Sequence, residues 1–251
     1  KILIIGGNGQ LGKTLNAIMP TRMGTDLVEI ISITRKDLDL CDFQLCKNIV
    51  KQIQPDYLIN VAAYTNVDLA ERNSEIAFSV NAFAPKAFAE ILRISGGKLI
   101  HFSTDYVFDG TSNRPYKPTD AKNPINIYGE SKAKGEDYIL NILQNSNQCF
   151  IIRTSWVISQ YGNNFLLKVL DLLNQKENIN IVSDQMSSPT STKTLSNFCI
   201  ELIKTIHSGK ECSSIFHWTD SGLASWYDLA QAISEYGKQL GILINPAQIN
   251  S

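Results

Sequence analysis

The sequence predicts an α/β protein: a doubly wound, Rossmann-type parallel sheet with a smaller C-terminal substrate-binding lobe. Short apolar runs alternate with longer helical stretches through the N-terminal part of the 251-residue chain, the pattern of βαβ units whose strands are buried on both faces. A glycine-rich segment, GGNGQLG at residues 6–12, follows the first apolar run directly and opens the first helical stretch. After about residue 160 the alternation loosens, which marks a change of architecture.

Taken in order, the apolar runs predict strands at residues 1–5, 27–33, 57–61, 98–103 and 149–153. Helices are expected between them at 11–19, 43–53, 74–95 and 128–143. Asp42 suits the N-cap of the second helix because its carboxylate can accept a first-turn N–H, and Gly96-Gly97 is a natural stop for the third. Beyond residue 160 the pattern predicts a helix at 164–174, a short strand at 179–182, a loop containing Pro189, and further helices. The expected division is a dinucleotide-binding domain at 1–160 and a substrate-binding region at 161–251, part of which returns to the sheet. Ligands of open α/β sheets bind at the carboxyl ends of the strands, where such a lobe can close over them.

Composition narrows the function classes. The 23 basic and 24 acidic residues nearly cancel, and no Lys/Arg run is long enough to track a phosphate backbone, so nucleic acid is not an expected partner. Apolar runs such as ILII at residues 2–5 are far shorter than the ~20 residues that cross a bilayer, and no signal peptide precedes them. A soluble, cytoplasmic protein without membrane attachment is expected. Cys41, Cys46, Cys149, Cys199 and Cys212 are scattered without a CxxC, as reduced thiols are. His101, His207 and His217 are dispersed, two of them inside apparent strands, and read as packed side chains; no metal is expected.

The glycine segment fits GxGxxG from Gly7 or GxxGxxG from Gly6. In both registers Gly9 lets the backbone approach a pyrophosphate, Gly12 allows close helix packing, and the helix N-terminus presents N–H groups to the anion. The next strand ends Ile33-Thr34-Arg35-Lys36. An acidic residue at that point holds the ribose 2′-hydroxyl of NAD, whereas positive charge suits a 2′-phosphate. Arg35 therefore favours NADPH, and the nearby Asp37 and Asp39 keep NADH possible.

The chemistry-bearing residues come later in the chain. Tyr128 and Lys132 in YGESK are four apart, so a helix brings them to one face, where the ammonium can favour the ionised phenol. An unperturbed tyrosine titrates near ~10 and needs such help to exchange a proton at neutral pH. Ser103-Thr104 leaves a hydroxyl pair at the carboxyl end of a central strand. Either could bond a substrate carbonyl oxygen, where charge develops as hydride arrives, while Tyr128 supplies the proton.

At these residues the chain resembles the extended short-chain dehydrogenase/reductase superfamily, and within it the dTDP-4-dehydrorhamnose reductase family. The matching segments are residues 6–12, 55–68 (PDYLINVAAYTNVD), STDYVFDG at 103–110, YGESK at 128–132, RTSWV at 153–157, GNNF at 162–165, Asp184-Gln185 with Ser188-Pro189-Thr190, and Ser225-Trp226-Tyr227. The glycine loop and the Tyr/Lys pair are specific only to the superfamily; the other segments together point to the reductase branch. The resemblance implies a catalytic trio of Thr104, Tyr128 and Lys132, with Lys132 also bonding the nicotinamide ribose. It implies cofactor contacts at Gly6, Gly9, Gln10, Leu11, Gly12, Arg35, Asp39, Leu40, Ala62, Ala63 and Tyr64, besides Tyr128 and Lys132. Substrate contacts are implied at Thr65, Val67, Ser103, Asp105, Tyr106 and Trp156, the last by laying a ring face against the sugar or base.

The implied reaction is NADPH-dependent reduction, with NADH possible, of the C4 keto group of a 4-keto-6-deoxyhexose carried on a nucleoside diphosphate. A nucleotide-sugar epimerase or dehydratase shares the loop and the Tyr/Lys pair, and a non-catalytic regulatory subunit of the same branch keeps the fold; both remain as alternatives. Dehydratases of this class place acidic residues directly after the strand-end hydroxyl, and here Asp105 follows Thr104 without a Glu after it. Some members of the family resemble magnesium-linked dimers held through glutamates. Lys13, Thr14, Thr190, Ser191 and Thr192 offer no such ligands, leaving a monomer or a homodimer without a bridging metal as the expectation. The family continues past a helix like residues 226–236 into a Pro- and Arg-rich segment. Either a tail completing the substrate lobe is absent from these residues, which also begin at Lys1 without an initiator methionine, or substrate binding is weakened.

Overall fold

The computed structural model describes residues 1–144 and 146–251. The chain divides into two compact units, Lys1–Thr154 with Ser196–Trp218, and Ser155–Leu195 with Thr219–Ser251.

The first unit begins with β1 (Ile2–Ile5), buried at every position, which runs through the glycine turn into α1 (Gln10–Ile18). A single strand is expected over 27–33, but the structure breaks it in two. β2 (Arg22–Met23) and β3 (Asp26–Leu27) close a hairpin through Gly24 at φ +61°, and only β4 (Ile30–Ile33) joins β1, Ile2 opposite Ile30 and Ile5 opposite Ile33. The break falls where the Val28 N–H turns back to the Thr21 carbonyl at 3.0 Å, which commits Leu27 to the hairpin. α2 (Phe43–Ile53) is capped by Asp42, whose carboxylate accepts the Leu45 N–H at 2.9 Å.

After β5 (Tyr57–Asn60) come α3 (Val67–Arg72), α4 (Ser74–Phe78) and α5 (Ala84–Ser95). The continuous helix expected over 74–95 is interrupted by a π turn at Ser79–Phe83, a local widening that often marks functional sites. α5 ends at Gly96, whose φ of +84° is the left-handed stop expected of Gly96-Gly97. β6 (Lys98–Thr104), α6 (Ile127–Leu143) and β7 (Cys149–Thr154) follow.

The chain then enters the second unit with β8 (Val157–Ile158), α7 (Phe165–Gln175), β9 (Asn178–Asn180), β10 (Met186–Ser187) and β11 (Thr190–Ser191). α8 (Thr192–His207) returns it to the first, where β12 (Ile215–His217) pairs with β7. β13 (Ala224–Ser225), α9 (Trp226–Gln239) and β14 (Gln248–Asn250) complete the second unit. The strand expected at 179–182 begins one residue earlier and ends two earlier because its partner is the three-residue β14, with Asn178 opposite Gln248 and Asn180 opposite Asn250.

The main sheet has the order β12-β7-β6-β5-β1-β4, with every neighbouring pair parallel. From β1 the chain builds first toward β4 and then, through β5, in the opposite direction. The reversal falls at the carboxyl ends of β1 and β5, the usual ligand position in such sheets. One sheet face packs Leu3, Leu58, Leu99 and Ile151 against Val50, Phe88, Leu92 and Ile139 of the covering helices. Each such aliphatic side chain contributes about 1.5–3 kcal/mol when fully buried. The second unit has a core of its own, in which Val169 and Leu173 of α7 meet Ala230 and Ile233 of α9, with Ile179 and Leu243. None of the described helices is long and apolar enough to cross a membrane.

Candidate active site

The carboxyl rim of the main sheet is built first by the β1–α1 turn. Gly6 sits at φ +95°, a left-handed conformation costly for any residue with a Cβ. Gly6 and Gly7 both donate their N–H to the Ile33 carbonyl at 2.9 Å, which ties the turn to the end of β4. A Cβ on Gly12 would stand 2.3 Å from the Gly6 carbonyl oxygen, so α1 packs against the turn only because residue 12 is glycine. A Cβ on Gly9 would meet only the Gly6 oxygen, at 3.2 Å, leaving its outer face clear. Gly9 is also the N-cap of α1 and has no side chain to bond the first-turn N–H groups, which lack intrahelical acceptors. Turn, bare N-cap and helix start together fit a diphosphate. Gln10 and Leu11 lie in that first helical turn.

The loops after the neighbouring strands carry the other residues expected to hold a cofactor. Arg35 is exposed beyond the end of β4, Asp39 holds the Cys41 N–H at 3.0 Å, and Leu40 packs against the main core. Ala62, Ala63 and Tyr64 follow β5, and the Ala62 backbone passes close enough to Gly6 that a Cβ there would lie 2.8 Å from its nitrogen. Thr65 is exposed, and Val67 opens α3. Sequence reasoning missed Asn81, which sits inside the π turn and is buried. Its amide oxygen accepts the Tyr64 N–H at 2.8 Å, and its amide nitrogen donates to the Tyr64 carbonyl and to Ser131 Oγ, both at 3.0 Å. One side chain thus ties the loop after β5 to α6.

The catalytic candidates meet at the end of β6. The Thr104 hydroxyl lies beside the Tyr128 phenol, donates to Asp105 at 3.0 Å and accepts the Tyr106 N–H at 3.2 Å. Tyr106 packs edge-on against Tyr128, ring centroids 5.5 Å apart. α6 comes this near because residue 129 is glycine: a Cβ there would lie 2.2 Å from the Tyr106 carbonyl oxygen. Ser103 and Thr104 are adjacent on β6 and point to opposite faces of the sheet. Thr104 faces the phenol, while Ser103 is buried beside the Glu136 carboxylate.

Lys132 corrects an expectation. Its ammonium donates to the Phe102 carbonyl at 2.6 Å and lies 3.2 Å from His101 Nε2, so it docks on β6, and no bond to the phenol accompanies this dock. Burial moves the Tyr128 phenol up to about 12, with the Thr104 hydroxyl opposing and Asp105 and Tyr106 adding to the rise. Electrostatic lowering of the phenol by Lys132 is not a feature of this conformation. Burial also brings Lys132 down to about 8, against the upward pull of Glu136. One turn further along α6, Glu136 accepts Arg153 Nε at 2.9 Å and Nη2 at 2.7 Å, a buried two-point ion pair to which Lys122 adds at 3.3 Å. Among the described residues, no three His, Cys, Asp or Glu side chains gather as a metal site.

Trp156 belongs to the second unit and has φ +41°, a left-handed backbone conformation rare for so large a residue. One face of its indole is taken by Trp226, with centroids 3.5 Å apart and planes within 11°, and Phe165 leans on Trp226 at 4.4 Å. Trp226 Nε1 donates to Gln185 at 3.3 Å. Ser225 caps α9 in a two-way bond with Asp228.

A family profile described as the RmlD substrate binding domain matches residues 1–250. The chain belongs to this family. Among curated RmlD-family relatives, a dTDP-4-dehydrorhamnose reductase of Aggregatibacter actinomycetemcomitans is 34% identical, aligned over 100% of this chain and 84% of its own length. A dTDP-4-keto-6-deoxy-D-glucose reductase of Streptomyces niveus is 36% identical over 91% of this chain and 76% of its own length. A crystal structure of the dTDP-4-dehydrorhamnose reductase of Bacillus anthracis in complex with NADP superposes with a TM-score of 0.87 at 33% identity, covering 99% of this chain and 82% of that one.

Within the RmlD-family framework, the residues that sequence reasoning overlooked share a reason. Asn81, His101 and Trp226 act through partners far along the chain, at Ser131, Lys132 and Trp156, so no local spacing announces them. For Trp226 a signal existed, since SWY is one of the family-like segments.

Proposed function

We propose that the chain is an NADPH-dependent reductase that converts the C4 ketone of dTDP-4-dehydro-L-rhamnose to the alcohol of dTDP-L-rhamnose. The observation that carries this is the Thr104–Tyr128 hydroxyl pair at the carboxyl end of β6, in a family whose curated relatives bear that reductase name. The turn at Gly6, Gly9 and Gly12, with Gln10 and Leu11, would hold the diphosphate of the cofactor, and Arg35 a 2′-phosphate. Asp39, Leu40, Ala62, Ala63 and Tyr64 line the same rim. NADH is the weaker alternative, for want of an acidic residue directly at the end of β4. When bound, the nicotinamide supplies a hydride.

The remaining chemistry belongs to the protein. Tyr128 carries its proton throughout the neutral range, because burial holds the phenol near 12, and gives it to the ketone oxygen as that oxygen becomes an alkoxide. Thr104 bonds the same oxygen and stabilises the developing charge. Lys132 provides the positive charge at the rim and binds the cofactor ribose. Thr65, Val67, Asp105 and Tyr106 are the proposed contacts of the first unit to the nucleotide sugar, with Ser103 supporting them from the buried side of β6; Trp156, in the second unit, is proposed to offer a ring face to a sugar or base. The five cysteines form no disulfide, which suits a reducing, cytoplasmic setting.

The test is stoichiometric. Given dTDP-4-dehydro-L-rhamnose, the enzyme should oxidise one NADPH per product alcohol formed. Turnover of nucleotide sugar without net NADPH loss would identify an epimerase or dehydratase, and cofactor binding without turnover a regulatory subunit. The Streptomyces relative favours a second substrate, dTDP-4-keto-6-deoxy-D-glucose, a diastereomer of the first, and product stereochemistry by NMR separates the two.

A further inference from the structure

His101 and Asn60 lie directly beneath the proposed site and take no part in the steps above. His101 is completely buried on β6 and stands opposite Asn60 in the β5–β6 register. Both ring nitrogens are engaged: Nδ1 is 3.1 Å from Asn60 Nδ2, and Nε2 is 3.2 Å from Lys132 Nζ. Asn60 cannot turn freely, because its amide oxygen accepts the Ala62 N–H at 3.3 Å, which leaves its NH₂ end facing the ring. Nδ1 is then an acceptor, and the proton of the neutral imidazole resides on Nε2. That proton points at the lysine nitrogen.

We propose that His101 acts through Lys132: locked by Asn60 as its Nε2–H tautomer, it faces the lysine nitrogen with a donor and so favours the neutral amine over the ammonium. The lysine keeps the Phe102 carbonyl as acceptor in either protonation state. The surroundings agree with a dock for an amine. Burial, then Lys132, pushes His101 well below its usual range, so the ring is uncharged. Burial brings Lys132 to about 8. Of the charged groups, Glu136 on its own helix acts on Lys132, and that carboxylate is itself engaged by Arg153 of β7 and by Lys122. Tyr128 shares α6 with it, Asp105 and Tyr106 stand beyond the end of β6 against Tyr128, and Asn81 of the π turn, which does not titrate, bonds Ser131. The consequence for catalysis rests on the proposed reductase activity: an alkaline limb in kcat/KM near pH 8, set by loss of the Lys132 proton.

Two measurements test it. The chain has 3 histidines, so ¹⁵N NMR of the whole protein, with His101→Gln to assign the ring, reports the tautomer directly. A proton on Nε2 is expected; a proton on Nδ1, or a charged ring at neutral pH, overturns the proposal. In the pH profile of NADPH oxidation, His101→Leu removes the donor to the amine and should move the alkaline limb upward by about one pH unit, while His101→Gln, which restores an N–H donor, should bring it back. An unmoved or lowered limb in a folded His101→Leu protein refutes the proposal. An Nε2–H ring in a protein without reductase activity would refute the enzymatic assignment and leave the dock standing.

Discussion

Tyr128 is where sequence and geometry meet most closely, and where the proposed chemistry is most exposed to test. Its partner Thr104 can be replaced by valine, which keeps the shape and removes the hydroxyl; kcat should fall on the order of 100-fold with KM for NADPH unchanged, read by steady-state kinetics. Lys132 makes a second prediction, in stability. Its folded value of about 8 lies below the ordinary 10.5, so between those limits the unfolded chain binds more protons and stability rises with pH. Lys132→Met should lack that rise, visible as a parent urea midpoint that climbs relative to the variant's from pH 8 to pH 10. The placement of Tyr128 and Lys132 on one helix and of Ser103-Thr104 at a strand end was legible because a helix repeat and a strand end are local patterns. The direction of the Lys132 side chain was not, since YxxxK spacing aligns two residues on a helix yet says nothing of the carbonyl and imidazole that β6 presents to one of them.

Among the elements, α6 carries both the proposed proton donor and the buried ion pair of Glu136 with Arg153 of β7. Removing one partner strands the other without water. Glu136→Ala should therefore cost about 3–5 kcal/mol, measured by chemical denaturation. The segment between β6 and α6 is tied by Asp109, whose carboxylate accepts the Thr111 N–H and hydroxyl, the Tyr116 phenol at 2.6 Å and Asn123 Nδ2 at 2.8 Å. These bonds hold its acid well below the usual carboxylate range, so the tie is complete above an ordinary aspartate pKa and loosens only as pH falls through that lowered value. Asp109→Ala should speed hydrogen exchange across residues 109–123 at neutral pH, with the sheet unaffected. Strands such as β1 and β5 were plain in the sequence as unbroken apolar runs, because a parallel sheet buries both faces. The π turn was hidden, since Ser79–Phe83 has the composition of ordinary helix and its widening follows from Asn81 reaching Tyr64 and Ser131.

At the level of the whole molecule, the strand order β12-β7-β6-β5-β1-β4 places the glycine turn, the loop after β5 and the Thr104–Tyr128 pair along one rim of one unit. That strand-end residues share one rim was legible from βαβ alternation, while the strand order itself was not, because it depends on pairings distant in the chain. The return of α8 and β12 to the first unit was expected only in outline, because a three-residue strand gives almost no periodic signal. Since the proposed cofactor site is built from folded loops, NADPH at 100 times its Kd should stabilise the protein by about 2.7 kcal/mol, readable as a rise in Tm. The most direct measurement compares the parent with Tyr128→Phe for NADPH oxidation with dTDP-4-dehydro-L-rhamnose, while nucleotide binding is followed by fluorescence. The phenol as proton donor predicts a rate lower by about 100- to 10,000-fold with NADPH affinity preserved. Equal rates in the two proteins would contradict it.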